Sequence, residues 1–171
     1  MANVKTNAMR LLDKHKITYQ ILSYQTKEAL DGVLVASKIG RNPEEVFKTL
    51  VTRGQSKEIY VFVLPVAKEL DLKKAAKVVK EKKMELIAVN EINQVTGYIR
   101  GGCSPIGMKK IYQTVIDESG KNLSSFIISG GKIGLQLELC PSDLASVIPV
   151  TFANIIEGQL DTAHLEIPIR A

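Results

Sequence analysis

Two glycine-paired segments hold the residues whose types and spacing could do chemistry. The stretch from Thr96 to Lys110 packs Gly97, Gly101, Gly102 and Gly107, one proline and three basic side chains between strand-like runs. Adjacent glycines leave backbone N–H groups unshielded and reach positive φ, so Gly101 and Gly102 can lay main chain against a ligand. A second segment, Ser129-Gly130-Gly131-Lys132-Ile133-Gly134, repeats the pattern. Each segment carries a serine, Ser104 in one and Ser129 in the other. Read together, the segments are two walls of one site for an oxygen-rich or anionic ligand. Read separately, each is a tight β-connection with solvated lysines. The pairing favours a shared site.

Several chemistries find no support. His15 and His164 stand far apart, and no Cys-x-x-Cys or His-Glu-x-x-His spacing occurs, so neither a metal nor another cofactor is expected. Gly107 follows Gly102 at the phosphate-loop interval, but Met108 then replaces the required lysine. The dinucleotide fingerprint is absent. His15 reads as a surface residue of the first helix, which leaves a serine triad without a base. Cys103 reads as a small side chain turned into the core, although cations nearby can activate a thiolate. What remains is catalysis by positioning. Bare N–H groups stabilise an oxyanion, Lys48 binds a phosphate or adenosine oxygen or neutralises developing charge, and Ser129 donates a hydrogen bond. An already activated ester is cleaved by such a site without an enzyme nucleophile.

The elements that must position these groups are short. The chain has 171 residues, 45% of them hydrophobic, and a net charge of +5, which suits one domain over 1–171 and tolerates a polyanionic partner. No apolar run approaches the ~20 residues of a membrane helix. Two cysteines and no apolar leader point to a reducing cytoplasm. Helices are expected at 4–16 and 28–39, the second interrupted by Gly32. A short helix starts at Asn42-Pro43-Glu44-Glu45 with Asn42 as cap, which puts Lys48 near a helix-to-strand junction. Another helix follows Asp71, with Leu72, Ala75, Ala76 and Val79 inward. Strands are expected at 19–24, 47–52, 59–64, 84–89, 111–116, 125–129 and 135–140, with Asn90 capping a helical turn. The run 59–64 is apolar throughout and reads as the central strand. Strict strand–helix alternation is missing, so the fold class is mixed α/β: a barrel-like sheet of six or seven strands surrounded by helices. Residues 158–171 read as a loosely held tail.

Five short motifs recur in one order: Val46-Phe47-Lys48-Thr49-Leu50, Leu70-Asp71-Leu72-Lys73-Lys74, Thr96-Gly97-Tyr98, the run from Gly101 to Gly107, and Ser129 to Leu135. Together they resemble the YbaK/EbsC proteins of the aminoacyl-tRNA editing superfamily over roughly residues 4–156. The resemblance implies a mixed β-barrel and a free-standing deacylase that removes cysteine from Cys-tRNA(Pro), and possibly from cysteine's own tRNA. It implies a transient complex with prolyl-tRNA synthetase. Lys48 and Gly101 are implied to act at the reacting ester, and Tyr24, Gly102, Ser104, Ser129, Gly130 and Gln136 to hold the substrate. No enzyme nucleophile is implied, because the substrate's own thiol attacks its ester carbonyl. Two positions depart from the family: Gln136 stands where an acid is usual, and Cys103 replaces an aliphatic residue. An editing relative specific for another amino acid, such as alanine, stays open, as does a tRNA- or synthetase-binding module without catalysis. The lysines between 73 and 83 are either a tRNA contact or a solvated helix face.

Overall fold

The computed structural model describes residues 5–158; the tail expected at 158–171 lies outside them beyond Gly158. Helix α1 spans Asn7–Lys14, shorter than the expected 4–16. The Thr6 hydroxyl sets its start by accepting from Met9 N–H at 3.2 Å and donating to Gly130 O at 2.6 Å. Helix α2, Gly32–Lys38, is capped by Asp31. Gly32 therefore opens this helix and does not interrupt it. It is glycine because a Cβ there would overlap Val66. Asn42 caps the 3-10 turn Pro43–Glu45, as its sequence predicts.

The strands are β1 (Gln20–Ser23), β2 (Phe47–Gly54), β3 (Ile59–Pro65), β4 (Met84–Leu86), β5 (Gln113–Asp117), β6 (Phe126–Lys132), β7 (Leu135–Leu139) and β8 (Val150–Ala153). They form a five-stranded sheet, β4-β2-β3-β5-β8, and a three-stranded antiparallel sheet, β1-β7-β6. Pairs β3–β5 and β5–β8 are parallel and the rest antiparallel. The mixed α/β class holds, but the expected barrel does not close. Closure requires every strand edge to be paired. Among the described residues the backbone link between the sheets is one isolated parallel bridge, Val46 to Ile127, just ahead of β2.

Strand β3 is buried on both faces, as its unbroken apolar run implies. Val61 and Val63 face the core between the sheets, with Phe47, Phe126, Ile128, Leu137 and the α1 residues Ala8, Met9 and Leu12. The Phe47 and Phe126 rings meet edge to face at 5.0 Å. Phe62 and Leu64 face the other way, toward Ala75, Ala76 and Val79 of helix α3 (Leu72–Val79). Each buried Val, Leu, Ile, Met or Phe side chain among these stabilises the fold by about 1.5–3 kcal/mol. Leu72 was expected inward but is exposed. Helical side chains lean toward the N-terminus, so a residue at the first position points back past the helix.

Three further differences follow from local hydrogen bonding. The strand expected at 84–89 ends at Leu86. Ile87 N–H still reaches Val51 O at 3.1 Å, and the chain then turns away. Asn90 does not cap. The Glu91 carboxylate folds back onto Ala88 N–H at 3.1 Å, so the cap falls at Ala88 and Asn90 lies within the turn before helix α4 (Ile92–Thr96). Strand β8 had no signal, since Val-Thr-Phe-Ala is too short to show a period; parallel pairing with β5 makes it a strand.

Candidate active site

The cleft follows from incomplete pairing of β2. Strand β3 covers one edge of β2 along its whole length, whereas β4 covers the other only from Thr52 onward. Peptide groups alternate in direction along a strand. Val46 O accepts from Val66 on the β3 side, and Val51 O accepts from Ile87 on the opposite side. The N–H and C=O of Thr49 therefore point off the sheet where β4 has ended. A cleft of about 630 Å³ runs along this open edge, walled by α2 and the chain before it, by 86–92, and by the first glycine segment.

Lys48 stands at the mouth. It pairs with Leu64 on β3, and its ammonium lies 4.0 Å from a carboxylate oxygen of Glu69. Glu69 is 77% exposed, so this contact is worth under about 1 kcal/mol and leaves Lys48 free to meet an anion. Arg100 also lines the cleft.

Gly101 is exposed on the cleft wall with φ +87. A Cβ there would sit 2.6 Å from that of Ala29, so both backbone angle and space require glycine. Its neighbour differs. Gly102 is buried, its N–H donates to Ile99 O at 2.9 Å, and a Cβ would lie 2.9 Å from Ile133 N. The two glycine segments thus touch, main chain to main chain. Ser129 and Gln136 lie opposite each other across β6 and β7, and both line the cleft. Ser129 Oγ accepts Gly131 N–H at 3.2 Å, which leaves its own O–H to donate.

Lys48, Gly101, Ser129 and Gln136 therefore come together. The other four residues expected to hold a ligand do not reach the wall. Gly102 is enclosed as described. Ser104 is fully buried, its Oγ accepting Ile106 N–H. Gly130 is buried against Leu135 and Leu137, with its carbonyl accepting the Thr6 hydroxyl. Tyr24 N–H bonds Gly134 O at 3.0 Å, at the far end of the β1–β7 pair. Glu138, two residues beyond Gln136, is also committed elsewhere. Arg41 holds both its oxygens at 2.9 and 2.7 Å and Ser125 bonds one, which pulls its carboxyl down to about 2.

Sequence reasoning missed Thr49. Its Oγ1 is buried at the cleft without a hydrogen-bond partner among the described residues, as an orphaned group awaiting a ligand would be. The only available hint was its place beside Lys48 on a strand whose pairing was not yet known. Cys103 does line the cleft, but burial pushes its thiol up to about 11, which suppresses the nucleophilic thiolate. His15 sits at the end of α1, its ring bonded to Leu11 O; His164 lies outside the described residues. No group of three potential metal ligands gathers among the described residues.

Comparison with known proteins adds the following. The aminoacyl-tRNA editing domain family matches residues 26–147. A protein of Enterococcus faecalis is 43% identical over 152 residues, covering 88% of this chain and 93% of its own length; its name, EbsC, assigns it as a Cys-tRNA(Pro)/Cys-tRNA(Cys) deacylase without claiming demonstration. A solved structure described as a hypothetical protein superposes with TM-score 0.78 at 22% identity, over 89% of this chain and all of that one. Another, assigned in the same provisional way as a trans-editing enzyme for prolyl-tRNA synthetase, gives 0.77 at 21%, over 91% of this chain and all of that one. These two likenesses establish the fold.

Proposed function

We infer the activity from one premise: the chain belongs to the aminoacyl-tRNA editing domain family. It is an aminoacyl-tRNA deacylase, and it acts in trans on cysteine misplaced on proline tRNA. The observation that carries this reading is a closed thiol beside open positioning groups. Cys103 is held protonated by burial, while Gly101, Ser129 and a reachable Lys48 surround the same space. The attacking atom then comes from the substrate.

In this mechanism the tRNA's terminal adenosine enters along the open edge of β2, and Lys48 engages one of its oxygens. The ester carbonyl lies against Gly101, whose bare N–H stabilises the developing oxyanion. Gln136 supplies a neutral acceptor to the α-ammonium group, and Ser129 donates to the aminoacyl moiety. The substrate thiol gives its proton to water, and its sulfur attacks the carbonyl carbon. The ester C–O bond breaks, and the ribose oxygen leaves with a proton from solvent. Water then opens the cyclic thioester to free cysteine. A thiol of pKa ~8.5 is a few per cent thiolate near neutrality, and intramolecular attack needs little beyond orientation.

Deacylation of Cys-, Ser-, Ala- and Pro-tRNA(Pro) tests the reading. Serine release should be at least about a hundredfold slower than cysteine release; equal rates reject attack by the substrate thiol. Preferred release of alanine would move the specificity and keep the enzyme class. Lys48→Ala should lower kcat/KM about a hundredfold, and an unchanged rate removes Lys48 from the reaction. Association with prolyl-tRNA synthetase rests on the family resemblance. It is checked by whether the synthetase and the chain sediment together with proline tRNA. No helix among the described residues is long and apolar enough to cross a membrane.

A further inference from the structure

Helix α3 carries a row of cations that the cleft does not use. Ala75, Ala76 and Val79 bury one face. Lys73, Lys77 and Lys80 stand on the other at i, i+4 and i+7, and Lys82 and Lys83 follow in the chain beyond the helix; all five are exposed. None of them forms an ion pair among the described residues. The acid within the row, Glu81, is taken up by Tyr60 Oη at 2.7 Å and by Ser56. Glu58 and Glu85 are the other exposed acids near this end.

The row has a direction. Lys48 and Leu64 share a face of the large sheet, and Leu64 packs in the cluster that holds Ala75 and Ala76. Glu69, beside the Lys48 ammonium, lines the cleft and leads into α3. At the far end Glu81 meets Ser56 in the β2–β3 turn, where Gln55 N–H bonds Lys83 O at 2.9 Å and Lys57 is exposed. Helix α3 therefore crosses the outer face of the large sheet, from residues 155–156 after β8, close behind the cleft-lining Glu69, to the β2–β3 turn.

We propose that this track binds the phosphodiester backbone of the duplex stem whose 3′ end enters the cleft. The inference rests on the reading above that a charged tRNA end occupies the cleft. Helix neighbours at i, i+4 lie about 5–6 Å apart, and a nucleic-acid duplex carries a charge every ~1.7 Å of its axis, so each ammonium meets a phosphate. The track has no aromatic side chain free to stack on a base, which favours a duplex over a single strand. Lysine is depleted at protein–protein interfaces, which are anchored by aromatic residues and arginine; that argues against an acidic protein here.

The test uses the full chain and a short RNA hairpin ending in single-stranded CCA, without any amino acid attached. The variant is Lys73→Gln/Lys77→Gln/Lys80→Asn, with asparagine at 80 because that residue has φ +62. Hairpin affinity should fall roughly ten- to a hundredfold, and the slope of log K against log salt should flatten by about three. Neutralising Lys14 and Lys121 instead should change neither. Deacylation of a cysteinylated CCA trinucleotide, too short to reach the track, should match wild type. An unchanged salt slope, an equal loss in the Lys14/Lys121 control, or a loss confined to synthetase binding overturns the proposal. Because hairpin binding is read without catalysis, a chain that binds the hairpin through α3 but releases no cysteine refutes the deacylation mechanism and upholds the track.

Discussion

The paired glycines at 101–102 and at 130–131 look alike in sequence and do different work. Gly101 is open to the cleft at φ +87, while Gly131, at φ +101, faces inward, where a Cβ would meet the Tyr98 ring at 2.9 Å and Thr6 Cβ at 3.2 Å. The first pair leaves Gly101 exposed on the cleft wall and spends the Gly102 N–H on Ile99. The second makes the irregularity between Ser129 and Lys132 that lets β6 accept the Thr6 hydroxyl at the start of α1. Paired glycines thus announce a close approach of main chain to something. Whether that something is a ligand or the protein itself depends on which face survives folding.

The comparison is broken or sharpened most directly by adding one methyl group to each segment. Gly131→Ala should cost about 2–4 kcal/mol of stability, from positive-φ strain and overpacking against Tyr98, while activity per folded molecule changes little. A urea titration paired with a kcat measurement reads both. Gly101→Ala should also cost about 2–4 kcal/mol, from positive-φ strain and the approach to Ala29, but should in addition lower kcat/KM per folded molecule about a hundredfold. If its activity fell only as far as its folded fraction, the two pairs would be alike after all.

A smaller effect separates the hairpin's structural carboxylate from the cleft beside it. The Glu138 carboxyl is depressed in the folded chain to about 2 from its usual 4.5, mainly by Arg41. A depressed acid stabilises the fold above its unfolded pKa and loses that contribution as pH falls from about 5 toward 2. The contribution is at most about 3 kcal/mol, reduced to about 1–2 by solvent screening. Wild type should therefore exceed Glu138→Gln in stability at pH 7, and the gap should shrink by pH 3. A gap independent of pH would mean that packing, not the ion pair, ties Arg41 to β7. Smallest of all, Cys103→Ala should alter cysteine release less than about threefold, since its thiol is closed; a tenfold loss would give that thiol a part in the reaction.

Much of this arrangement is legible in the residues. The unbroken run at 59–64 marks a strand covered on both faces, and Asn42-Pro43 marks the turn that delivers Lys48 to the start of β2. Other features depend on partners remote in sequence. Ser104 and Ser129 carry the same local signature, yet one is sealed beneath Ile106 and the other opens to the cleft. The barrel was expected from the missing strand–helix alternation and from the family resemblance. The actual gap depends on β4 ending three residues in, which a run such as Met84 to Val89 does not display. The orphaned Thr49 hydroxyl becomes visible only once that gap exists.

An uncovered stretch of sheet normally invites a second chain to add itself and begin a fibre. Here α2 and the segment 86–92 crowd the vacancy from both sides. A strand adding at this edge would have to displace both. The rung left empty in the ladder therefore borders a hollow lined by side chains and not a free sheet edge.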